Sequence, residues 1–235
     1  MGLSLTEQDV QQLQQNRWFA RLPIRYQDFI LQYGQCREYH KDQAIFLSND
    51  TFDGMYAVLH GSVRLGYIDV QGHETIAAIV APIMWFGEIS FIDGEARSHD
   101  AICMQHSKIL KLPQSALNRL VSESPTFWKH LAELTSQKLR YAFLELISIQ
   151  TQNIQQRVAQ RLCFILNGYG NHLQIDQYEL QLSQEQLGQM LVCSRQTINQ
   201  ALQALEKQGV LEVAFKKIIV LDTHKLHQLA YQANT

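Results

Sequence analysis

Gly87-Glu88-Ile89-Ser90, followed ten residues after the glycine by Arg97-Ser98-His99, has the make-up of an anion-binding turn. The glycine lets backbone approach a phosphate, and the N–H groups of a following short helix favour negative charge. Arg97 can clamp two anion oxygens with its planar fork, Ser98 adds a hydroxyl donor, and His99 a titratable one. Glu88 is an odd neighbour for a phosphate unless it faces a sugar hydroxyl. The same residues also allow a Glu88–Arg97 ion pair that orders the fold without any ligand.

A second stretch, Leu182 to Ala201, reads as a helix-turn-helix. Ser183 precedes Gln186 at capping-box spacing, and Leu187, Met190 and Leu191 form an apolar stripe. Ser194 is an N-cap residue for a second helix whose buried side is Ile198, Ala201, Leu202 and Leu205. That leaves Arg195, Gln196, Asn199 and Gln200 outward, side chains that read base edges in a major groove. Ser183, Gln184, Ser194 and Thr197 at the two helix starts complete the predicted DNA-contacting set, with Lys216 and Lys217 further on. Arg195 suits guanine O6 and N7, and the two glutamines suit adenine.

Both stretches need positioning by larger elements. Residues 1–35 show apolar anchors at helical spacing, broken at Pro23. From Cys36 to Leu112, short segments rich in β-branched and aromatic residues alternate with Gly, Asp and Asn, which predicts a barrel or jelly roll. A helix is predicted from Pro125 to Gln152. Along it Trp128, Ala132, Thr135, Leu139, Ala142, Leu146, Ile149 and Asn153 recur at alternating spacings of four and three, the seam of a coiled coil. A helix follows over Val158–Leu166 and stops at Asn167-Gly168. His172–Ile175 and Tyr178–Leu180 read as short strands. After Gln208-Gly209 comes a hairpin with a basic tip, Ala214-Phe215-Lys216-Lys217.

With 235 residues, 46% of them hydrophobic and 18% charged, the chain has room for two domains. No apolar run is long enough for a membrane span. The N-terminus lacks the basic and apolar regions of a signal peptide, so a cytoplasmic location is expected. Cys36, Cys103, Cys163 and Cys193 are scattered, with no metal-ligand spacing, and nothing resembles an enzyme's catalytic motif. Residues 151–235 carry seven Lys and Arg against six Asp and Glu. DNA affinity must therefore come from local placement of cations and from a dimer that doubles each contact.

A barrel, a long helix and a winged helix-turn-helix, in that order, resemble the Crp/Fnr superfamily of bacterial transcription regulators. The resemblance is sharpest at Phe86-Gly87-Glu88-Ile89-Ser90 with Arg97-Ser98, similar to the family's phosphate-binding cassette, and at Val192-Cys193-Ser194-Arg195-Gln196-Thr197. It implies an α+β fold with an N-terminal jelly roll (a double-stranded β-helix). The organisation expected is an effector domain over 1–124, a dimerisation helix over 125–150 and a winged helix-turn-helix over 151–235. It also implies a homodimer on near-palindromic double-stranded DNA, RNA polymerase as a further partner, and a cyclic nucleotide or other anionic small effector. Counting back from Arg157 puts Ala142 and Phe143 where the family's cyclic AMP sensors carry a Thr-Ser pair on the long helix. Neither can hydrogen-bond a base, which argues against cyclic AMP. The readings that remain are an effector-gated regulator, a ligand-independent one with a vestigial pocket, and a nucleotide-binding module that acts through protein partners. Because Arg97 is read as a ligand clamp, its removal is expected to leave the fold intact.

Overall fold

The computed structural model describes residues 4–72, 74–171 and 178–231. It opens with α1 (Glu7–Leu13), α2 (Arg17–Arg21) and α3 (Ile24–Tyr33), the first two capped by Thr6 and Asn16. The strands β1 (Gln35–Tyr39), β2 (Ala44–Phe46), β3 (Gly54–His60), β4 (Val63–Ile68), β5 (Glu74–Val80) and β6 (Trp85–Phe86) follow. A short helix, α4 (Ile89–Asp93), precedes β7 (Asp100–Cys103) and β8 (Ser107–Pro113). These strands form two four-stranded sheets among the described residues, in the orders β1-β8-β3-β6 and β2-β7-β4-β5, and every pairing is antiparallel. Tyr39, Phe46, Tyr56, Val58, Ile76 and Phe86 fill the space between them. The β4–β5 register shifts between Leu65 and Gly66. A Cβ at Gly66 would sit 2.0 Å from the Thr75 carbonyl oxygen, so only glycine allows that bulge.

The N-terminal helices cover the outer side of the first sheet, packing Trp18, Phe19, Tyr26 and Ile30 against Trp85 and Leu110. They also hold the start of the long helix. After α5 (Gln114–Glu123), α6 runs Phe127–Thr151 and buries Phe127, Leu131 and Leu134 fully in that cluster. At about 1.5–3 kcal/mol per fully buried large side chain, three such anchors fix its first half. The second half differs. Leu139, Leu146 and Ile149 are each more than half exposed, and Trp128 and Ala132 are also on the surface, with Thr135 half-buried. Asn153 is not on this helix but caps the next, α7 (Ile154–Leu166), because Gln152 is already extended. The seam therefore ends at Ile149.

The C-terminal part comprises α7, β9 (Glu179–Leu180), α8 (Gln184–Leu191), α9 (Arg195–Lys207), β10 (Leu211–Ala214), β11 (Lys217–Val220) and α10 (Thr223–Tyr231). The strand expected over His172–Ile175 lies outside the described residues. A buried arginine ties this part to the rest. Arg161 of α7 donates to the Ala77 carbonyl of β5 at 2.9 Å and to Glu145 of α6 at 2.6 Å. Gln189 of α8 also reaches Glu74 of β5 at 3.5 Å.

Candidate DNA-binding face and effector cavity

Local capping builds the first site. Ser183 accepts from the Gln186 N–H while Gln186 returns a bond to the Ser183 backbone, and Ser194 accepts from the Thr197 N–H. Ser194 and Thr197 also bond hydroxyl to hydroxyl at 2.8 Å, so both shape the helix start. Gln184 donates to Asn199 at 3.2 Å, which joins the two helices across the turn. Arg195, Gln196 and Gln200 stand exposed. The hairpin β10–β11 lies beside them, its tip Phe215-Lys216, and a cleft of about 320 Å³ between helix and hairpin brings Ser183, Gln184, Arg195, Lys216 and Lys217 together. Lys217 is bonded to Glu179 at 2.9 Å, whereas Lys216 projects from the tip. Sequence reasoning passed over Phe215, which is 88% exposed in the same cleft; an aromatic at a polar hairpin tip was the available signal.

The turn between the helices carries strain. Val192 sits in the left-handed region at φ 54° and ψ 49° and is almost fully exposed. A β-branched residue there costs roughly 1–3 kcal/mol with no packing in return. Val192→Gly should therefore raise the melting temperature by several degrees; an unchanged or lower midpoint would show that the valine stabilises the turn.

The other site is arranged differently from its sequence reading. Gly87 adopts φ 84°, and α4 follows it as anticipated, with Ser90 buried and Ile89 on the surface. Glu88 and Arg97 do not pair. The Glu88 carboxylate is fully buried and takes a 2.6 Å bond from Lys138 of α6, with Oε1 unpartnered. Arg97, 2% exposed, donates to the carbonyls of Gly87 (2.8 Å) and Gly54 (2.7 Å) and to Asp53 (2.8 Å). The rings of Phe46 and Phe52 flank its guanidinium at 4.1 and 4.7 Å. The clamp is spent on its own backbone. Ser98 is exposed and bonded to His99 Nδ1 at 2.9 Å. Burial, then the Lys138 and Arg97 cations, push the His99 imidazole below its ordinary range, although Glu88 and Asp100 oppose them.

Next to this cassette lies a cavity of about 210 Å³ between β4, β5, α6 and α7. Ala142 lines it. Phe143 does not: it is 56% exposed, one residue and about 100° further round the helix. The α6 residues that do face the barrel here are Lys138, Tyr141, Ala142 and Glu145.

Known proteins share both halves of this arrangement. The cyclic nucleotide-binding domain family matches residues 36–124, and the Crp-like helix-turn-helix domain family matches residues 156–229. The cyclic AMP receptor protein of Thermus thermophilus is 30% identical over 205 residues, which is 87% of this chain and 92% of that protein. The chain belongs to the Crp/Fnr family of DNA-binding transcription regulators. Among solved structures of the family, FixK2 from Bradyrhizobium japonicum has the same fold, with a TM-score of 0.73 at 22% identity over 85% of this chain and 98% of FixK2. The catabolite activator protein of Thermus thermophilus is 29% identical, with a TM-score of 0.50, covering 91% of this chain and 97% of that one. Within this family frame, the jelly roll, long helix and winged helix-turn-helix expected from sequence are all present. No described helix is long and apolar enough to cross a membrane.

Proposed function

We propose that this regulator acts in the cytoplasm as a homodimer through α6. In this reading it places the starts of two α9 helices in successive major grooves of a near-palindromic site and takes a small effector in the barrel. RNA polymerase is the partner through which such binding would act on transcription. The observation that carries the DNA reading is the cleft in which Arg195, Ser183, Gln184 and Lys216 converge, with Gln196 and Gln200 exposed beside it. Half-sites sit about one helical turn apart if a two-fold protein reads one face of the duplex. Arg195 supplies the bidentate guanine contact, and the glutamines favour adenine at neighbouring positions.

Selection from random DNA tests this. An enriched inverted repeat with one guanine per half-site supports it, and no enriched sequence at all refutes it. Arg195→Ala is expected to cost about 1–3 kcal/mol and relax preference at one base pair. Lys216→Ala should weaken all sequences evenly and lower the salt slope by about one. If Lys216→Ala altered sequence preference instead, the tip would read bases and not phosphates.

An effector-gated regulator is favoured over a ligand-independent one by the cavity itself, which touches the barrel, the long helix and α7 together. A ligand there has contacts with every part that has to move.

A further inference from the structure

The cavity beside the cassette is built for a different chemistry from a nucleotide's. Leu65, Val80, Met84 and Phe86 form its barrel wall and Tyr141 its helix wall. Its charged groups are already paired, Lys138 with Glu88 and Arg161 with Glu145. The cassette's own guanidinium, Arg97, is buried against two carbonyls, the Asp53 carboxylate and two aromatic rings. Among the described lining residues a phosphate would find no unpaired cation, and a charge left without a partner is costly beside apolar walls.

Size gives the same answer. A cavity of roughly 150 Å³ lined by apolar side chains holds benzene. One of about 210 Å³ takes a fused bicyclic ring. Polar needs remain among the lining residues. Arg161 Nε and Glu145 Oε1 are buried without hydrogen-bond partners. Burial also raises the Glu145 carboxyl above its usual range, although Arg161 opposes this. One donor and one carboxyl oxygen suit a ligand with a single oxygen or nitrogen substituent that can both accept and donate.

We propose that this cavity binds a small aromatic molecule, one or two rings with a single neutral hydrogen-bonding group and no phosphate. The inference deepens the effector reading above and rests on it. Because Arg161 belongs to α7 and Ala77 to β5, such a ring sits against the hydrogen bond that joins the DNA-binding part to the barrel. Its binding would bias how the two are held.

The test uses full-length protein with 2-naphthol and indole as probes and cyclic AMP and cyclic GMP as competitors. Met84 lines the cavity, so its ¹³C-methyl resonance, assigned through Met84→Leu, reports occupancy directly. The expected result is a saturable Met84 shift with 2-naphthol at one site per chain, unaffected by either cyclic nucleotide. Ala78→Phe, which fills the same space, should weaken the probe roughly tenfold. Should that variant melt early, the Met84 shift in the wild-type chain decides alone. No Met84 shift with either ring overturns the proposal, as does a cyclic nucleotide that moves Met84 and expels naphthol. A chain that enriches an operator but ignores both rings loses only this inference. One that takes up the rings but enriches no DNA loses the regulator reading instead.

Discussion

Replacing Leu139 and Leu146 together by aspartate yields a chain that sediments as a monomer and no longer holds a palindromic operator. Both leucines lie on α6 beyond its anchors at Phe127, Leu131 and Leu134, and they are 54% and 57% exposed in the single chain. Ile149 continues the same face at 58%. In the proposed dimer a second copy covers this stripe. Four aspartates in the dimer, at roughly 3 kcal/mol for each unpaired buried charge, cost about 12 kcal/mol. That matches the free energy of a nanomolar complex, about 12 kcal/mol. The monomer itself should melt normally, since in it both side chains meet water. A stable dimer of the double variant would move the interface to another surface.

Loss of DNA binding follows from the same arithmetic. The described C-terminal elements present few free cations, and Lys217 is already engaged with Glu179. One copy alone makes too few phosphate contacts to hold DNA at physiological salt, and each further contact steepens the salt dependence.

The parts of this molecule that were readable from sequence are those set by near neighbours. Ser183 and Gln186 cap a helix three residues apart, Ser194 caps the next, and both caps form as the spacing required. Strand alternation and turn residues gave the barrel for the same reason. The Glu88–Arg97 ion pair does not form, because each residue finds charged partners distant in sequence. Arg97 finds Asp53 and Gly54 more than forty residues back, and Glu88 finds Lys138 fifty residues on. Nearness in the chain made Glu88 and Arg97 look like a pair, but Arg97 turns to the carbonyls of Gly87 and Gly54 and to Asp53, while Lys138 of α6 takes Glu88. Of the pair Ala142-Phe143, counting along the helix put Ala142 at the cavity, whereas Phe143, one residue and about 100° further round, stands on the surface of the single chain. Arg161 could not be foreseen at all. Its role depends on where β5 meets α7, which no local pattern encodes.

The second large effect reverses the expectation drawn from sequence. Arg97→Ala should destabilise the barrel by about 3–5 kcal/mol, a large share of the roughly 5–15 kcal/mol that holds a typical domain. The guanidinium satisfies the carbonyls of Gly87 and Gly54, and each buried acceptor left unpaired costs about 1–3 kcal/mol. Its removal also leaves a void between Phe46 and Phe52, which adds a packing term. Asp53 moderates the loss, because Lys111 at 2.5 Å and the Tyr56 hydroxyl at 2.7 Å still hold its carboxylate. Those same partners, with Arg97, keep the Asp53 carboxyl below its usual range against the opposing effect of burial. In a chain of this size the midpoint should fall by roughly 10 °C, at about 2–4 °C per kcal/mol. Arg97→Lys keeps the charge but cannot span both carbonyls, so it should recover only part of the drop. Thermal melts of the three proteins, followed by circular dichroism, decide the matter. A midpoint unchanged in Arg97→Ala would mean that the arginine is free to meet a ligand, and the phosphate-clamp reading would stand again.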